Sequence, residues 1–178
     1  MTYITTTELA ERPGAREIAQ VASLQHQMVS DYALMDATLR GTDRSNWSQE
    51  QQDTADLALA RVLDAVNESA AVIDGFLVQR GYALPLQLTP TSTGKSLLTA
   101  WSRAITRYLL NQNRVMDASK DPVVRDYQDA MRMLGLLAQG KLSLGAGDPE
   151  AAAAVGSTDV RFAGDAPTFS RQQLKAFR

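Results

Sequence analysis

Thr93-Gly94-Lys95-Ser96 is the segment of this chain that comes nearest to a chemical signature, the end of a phosphate-binding loop. Such a loop cradles phosphates with successive backbone amides and needs another glycine five residues before Gly94. That position is Thr89, and the neighbouring Pro90 has no amide to offer. No buried strand leads into the segment, so the residues predict a helix start capped by Thr93 and no nucleotide site. His26 is the single histidine. A nucleophile pairing with Ser23 or Ser30 would need a third, orienting group and an oxyanion site, and neither is visible. The expectation for His26 is a polar helix position. One histidine and no cysteine exclude a multi-histidine or thiolate metal site. The carboxylates are scattered and lack the spacing of a calcium loop. Trp47 and Trp101 are expected as core or helix-covering residues. Together these readings predict no enzyme, no catalytic residues, no metal and no cofactor.

The elements that must position these residues read as helices throughout. Thr5 and Glu8 form a capping box, with Ile4 and Leu9 spaced as its hydrophobic staple. Pro13-Gly14 closes that first short helix. A second helix begins at about Ala15 with Ile18, Val21 and Ala22 on one face. A third covers Asp31 to Leu39 and ends at Gly41. Residues 24 to 30 fit either a bend or a continued helix. After a loop of turn formers, Ser48 with Gln51 opens the dominant helix, about 48–80, which Gly81 stops. Leu59, Val62, Leu63, Val66, Ala70, Ile73, Phe76 and Leu77 recur on it at three- and four-residue steps. At ~1.5 Å per residue the helix is about 50 Å long, longer than a domain this size is wide. Its apolar face is therefore expected to meet another subunit through Leu57, Val62, Val66, Ile73, Phe76 and Leu77.

Leu84-Pro85-Leu86 to Pro90 predicts an extended connection. A helix over about Gly94 to Asn111 follows, with Leu98, Trp101, Ile105, Tyr108 and Leu109 on one side. Asp121-Pro122 caps the last core helix, which turns Val123, Tyr127, Ala130, Met131, Leu134 and Ala138 inward and ends near Gln139-Gly140. No useful strand pattern occurs, and the fold class is all-α, a small bundle with one long helix.

This places a helical core domain at 1–144 and an extended C-terminal arm at 145–178. Residues 145 to 167 have the glycine, proline and alanine content of a linker. The ending carries a second capping box, Ser170 with Gln173, and a staple of Phe169 and Leu174. Leu174 and Phe177 share a face ringed by Arg171, Lys175 and Arg178. Disorder, self-docking and partner docking are all compatible with that composition. The interleaved apolar anchors fit a protein groove better than bare phosphate.

The whole chain has 178 residues, 44% hydrophobic, and a net charge of −2. That is enough for one core and too little positive charge for a broad nucleic-acid binder. No apolar run approaches ~18 residues, and the N-terminus lacks the apolar stretch of a signal peptide. A soluble protein made in a reducing cytoplasm is the expectation.

Ile73-Asp74-Gly75-Phe76-Leu77, Arg80-Gly81-Tyr82-Ala83-Leu84-Pro85-Leu86, Ala104-Ile105-Thr106-Arg107-Tyr108-Leu109-Leu110, Val124-Arg125-Asp126-Tyr127-Gln128-Asp129-Ala130 and Gly140-Lys141-Leu142-Ser143-Leu144-Gly145 follow one another in a recognisable order. With Thr7-Glu8-Leu9, Pro13-Gly14-Ala15, Ile18-Ala19-Gln20-Val21 and the Phe169-to-Phe177 ending, this succession resembles a family of small neck proteins of Mu-like phages and prophages. The resemblance covers nearly the whole chain. It implies a structural head–tail connector (adaptor) in the virion neck, assembled from host cytoplasm. It also implies a ring of about twelve copies beneath the portal protein, extending the DNA channel towards the next neck or tail protein. Double-stranded DNA would pass without sequence-specific binding, and no membrane is involved. Docking onto the portal or a neighbour then falls to Phe162, Phe169, Arg171, Leu174, Lys175, Phe177 and Arg178. The neighbouring roles of stopper or tail completion protein, and a cytoplasmic helical partner-binding regulator, are the alternatives.

Overall fold

The computed structural model describes residues 2–24, 27–112, 114, 117 and 120–145. Among them are six α-helices and no strand: α1 Thr6–Leu9, α2 Ala15–Ala22, α3 Tyr32–Arg40, α4 Gln49–Arg80, α5 Thr93–Leu110 and α6 Pro122–Ala138.

Local chemistry sets most helix ends. Thr5 Oγ1 accepts the Glu8 amide at 3.2 Å while the Thr5 amide donates to Glu8 Oε2 at 2.8 Å. Ser48 and Gln51 make the same reciprocal pair at the head of α4. Asp31 and Asp121 cap α3 and α6, the latter with Pro122 at the first helical position, where a missing amide costs nothing. Gly81 ends α4 at φ +95°, a left-handed conformation that a side chain would strain. Residues 10–14 form an irregular turn between α1 and α2, with Arg12 extended. The helix does not continue into residues 24–30, which the sequence leaves open to either a bend or a helix: α2 stops at Ala22 and Ser23 is extended.

The cap of α5 departs from expectation. Ser92, not Thr93, accepts the Lys95 amide, at 3.2 Å. Two adjacent hydroxyls could each serve, and tertiary packing of Gly94 selects the register. A methyl group on Gly94 would lie 2.5 Å from the Leu144 carbonyl oxygen, so only glycine admits this close approach.

α4 is a spine with two cores strung along it. Its first half carries Ala58, Val62, Ala65 and Val66 into a cluster with Ile4, Leu9, Ile18, Met35 and Leu39 from α1–α3 and the residues before them. Its second half carries Ala70, Ile73 and Leu77 into a cluster with Leu98, Trp101 and Ile105 of α5 and with Leu134 and Leu137 of α6. This arrangement corrects the expected lateral interface. Val62, Val66, Ile73 and Leu77 are fully enclosed within the subunit, and Phe76 is half-buried against the second core. The length of α4 is used by two groups of the chain's own helices, one after the other, rather than by a neighbour. Of the six residues assigned to that interface only Leu57, 55% exposed, points outward.

At the seam between the cores sits a buried polar knot. Ser69 Oγ donates to the Val66 carbonyl at 2.8 Å, accepts from Thr106 Oγ1 at 3.1 Å and bonds Ser102 Oγ at 2.9 Å. All three hydroxyls are satisfied, as burial in an apolar interior requires.

Candidate functional site

The residues singled out for chemistry have structural employment. Lys95 Nζ donates to the Tyr3 carbonyl at 3.1 Å, and Thr99 Oγ1 donates to the same oxygen at 2.9 Å. The segment from Thr93 to Ser96 thus ties the residues before α1 to α5 through Lys95. Ser23 Oγ donates to the Ala19 carbonyl and Ser30 Oγ to the Asp31 carbonyl. His26 lies outside the described residues. Trp101 is buried in the second core, and the Trp47 carbonyl accepts from Gln52 Nε2 at 2.9 Å, tying the loop to the base of α4. Among the described residues no group of three or more acidic or histidine side chains stands close enough to hold a metal ion, and no helix is long and apolar enough to cross a membrane. The arm residues Phe162, Phe169, Arg171, Leu174, Lys175, Phe177 and Arg178 lie outside the described residues.

What the fold does assemble is an arginine-rich cleft. α5 turns Ser102, Ile105 and Thr106 towards α4, and its opposite face carries Ala100, Arg103, Ala104 and Arg107, following the helical repeat. That face, the Arg12-Pro13 turn and α6 bound an open cleft of ≈ 480 Å³. A second cleft shares Pro13, Glu17 and Arg107 with it and adds Arg16 and Arg114. The floor of the first is apolar, from Ala100, Trp101, Ala104, Ala130 and Met133. Beside it Tyr108 of α5 stacks on Tyr127 of α6, with ring centroids 4.0 Å apart.

The charges in the cleft are of two kinds. Arg107 is held by a forked contact to Glu17 of α2, with Nη2–Oε2 at 2.9 Å, and lies 3.7 Å from Asp126 of α6. The Glu17 hydrogen bonds push its already high pKa further up, so it stays charged. Arg114 pairs with Asp121 at 2.6 Å, and Asp129 is taken by Arg132 at 3.0 Å. Arg12, Arg16 and Arg103 have no ion-pair partner among the described residues. Arg103 Nε is buried and meets no hydrogen-bond acceptor, a costly state for a charged donor.

The outer face of α4 is the electrostatic complement. Leu57, Ala60, Ala71, Gly75 and Val78 are exposed along it, with Val78 at 59%. Asp64 and Glu68, also exposed, stand one turn apart on that face without a cationic partner among the described residues. Sequence reading passed over both surfaces. The signals were present: Arg103 and Arg107 are like charges four residues apart on one helix face, an arrangement that costs stability in isolation. Ser69, Ser102 and Thr106 likewise interrupt otherwise apolar stripes.

The described residues define an all-α fold in which one long helix carries two cores. Residues 3–162 match the family described as Bacteriophage Mu, Gp36, and the chain belongs to that family. It is similar to the Mu-like prophage FluMu protein gp36 of Haemophilus influenzae strain Rd, 33% identical over 113 residues, which cover 64% of this chain and 71% of the relative.

Proposed function

We propose that this protein is a structural subunit of the phage neck, a head–tail connector of the adaptor type. In this reading about twelve copies form a ring beneath the portal and carry the DNA channel on towards the tail. The observation that supports it is the family match over residues 3–162, in a chain that resembles small neck proteins over nearly its whole length. A helical body with two cores along one long helix suits a structural part. A net charge of −2 suits a conduit through which DNA slides rather than one that grips it. Portal docking falls to the arm and lateral contact to the surface of the core.

The test is a phage or prophage from which only this chain has been removed. DNA-filled heads and separate tails that fail to join are the expected products. Cross-linking in complete particles should then join the chain to the portal, as an adaptor requires. Cross-links only to proteins below the next ring would assign it the stopper role instead. Complete, infectious particles lacking the chain would end the neck reading.

A further inference from the structure

We infer that the outer face of α4 in one copy seats in the arginine cleft of the next copy, a head-to-tail contact that repeats around an assembly. The inference rests on the ring reading above and names the two surfaces that would make it.

Three observations carry it. The surfaces lie on opposite sides of the subunit, because α5 meets α4 through Ser102 and Thr106 and opens the cleft from its far face. A contact between two different patches facing opposite ways generates rings or filaments, whereas a two-fold pair needs one self-complementary patch. The unpaired charges are complementary: Asp64 and Glu68 on one surface, Arg12 and Arg103 of the cleft and Arg16 of the adjoining one on the other, whereas the cleft's carboxylates Glu17, Asp126 and Asp129 are each engaged by an arginine of the same subunit. The small exposed residues Ala60 and Ala71, on either side of Asp64 and Glu68, let that stretch of α4 come close to the cleft's apolar floor of Ala100, Ala104 and Ala130. A bare phosphate backbone would leave that floor uncovered.

A charge-exchange experiment on the full-length chain tests this. Sedimentation over a range of concentrations compares the wild type with Asp64→Arg/Glu68→Arg and with Arg12→Glu/Arg103→Glu. Arg12→Glu/Arg16→Glu, which alters only exposed side chains, guards against misfolding from the Arg103 change. Each variant sets like charges against each other and should self-associate at least about tenfold more weakly than the wild type. Mixing an α4 variant with a cleft variant restores opposite charges at every junction, so the mixture should regain association that neither has alone. Wild-type association should also weaken as salt rises. If the variants associate as the wild type does, or the mixture stays monomeric, this contact is wrong while the ring survives as a reading. A wild type that remains monomeric at its solubility limit overturns the contact as a solution interface. Unchanged mass with lost retention on double-stranded DNA in the cleft variants would assign the cleft to phosphate. The ring itself is judged separately, by the number of copies per particle: a single copy would remove it.

Discussion

Ser69 of α4 and Ser102 of α5 bond to each other at 2.9 Å in the centre of the molecule, where both are wholly enclosed. Ser69 spends its proton on the Val66 carbonyl, so Ser102 and Thr106 both donate to the one Ser69 oxygen. That oxygen is the junction of the two cores. Replacing it by Ser69→Ala leaves two buried donors without their acceptor. The expected loss is about 1–3 kcal/mol of unfolding free energy. Adding Ser102→Ala should cost less than the sum of the two single changes, since the partners share one network. Chemical denaturation of the four proteins measures this. Strict additivity would mean that the knot does not act as a unit.

Two glycines within helices make opposite predictions. Gly94→Ala forces a methyl group against the Leu144 carbonyl and should cost about 1–3 kcal/mol. Gly75 lies on the exposed face of α4 with nothing within 4 Å of a modest side chain. There Gly75→Ala should stabilise the fold by about 0.5–1 kcal/mol through helix propensity. Thermal melts of the two variants beside the wild type decide it. A stable Gly94→Ala would show that residues 141–145 can move off α5 freely.

Alkaline stability should depend on Tyr3. Burial first, and then the hydrogen bond to the Asp74 carboxylate, raise its phenol well above the usual 10.0. The folded state therefore holds this proton where the unfolded chain releases it. The contribution is complete below about pH 10 and fades as pH rises further. In Tyr3→Phe the fall in stability between pH 9 and pH 11, on the order of those limits, should be shallower than in the wild type. Equal slopes in urea titrations at both ends would remove Tyr3 from the account.

Removal of residues 167 to 178 tests the arm. The described members of the two cores fall between Tyr3 and Leu144. The shortened protein should keep its helical circular dichroism and its melting temperature, yet enter heads poorly. Phe169→Ala and Phe177→Ala should mimic the deletion better than Arg171→Ala or Lys175→Ala, because rim charges mainly alter association rate. A shortened chain that joins heads and tails as well as the full one would make the arm dispensable.

Much of this architecture was legible in the sequence because it is decided within one helical turn. Thr5 with Glu8, Ser48 with Gln51, Asp121 before Pro122, and Gly41 and Gly81 after their helices each set a boundary through bonds to residues no more than four positions away. The apolar repeat of α4 likewise identified the side chains that would be buried. It could not say by what. Periodicity marks a face that must leave water, and either a neighbouring copy or the chain's own helices satisfy that requirement equally well. Only the fold showed α1–α3 and α5–α6 dividing the length of α4 between them, which turned Val62, Val66, Ile73 and Leu77 from a supposed interface into core. The same holds for the choice of Ser92 over Thr93, decided by a contact between Gly94 and Leu144 fifty positions along the chain. Arg12 and Arg103 come to line one cleft across a still greater separation. No local rule links such residues, because the free energy that joins them comes from the burial of helices between them, and that exists only in the assembled tertiary structure.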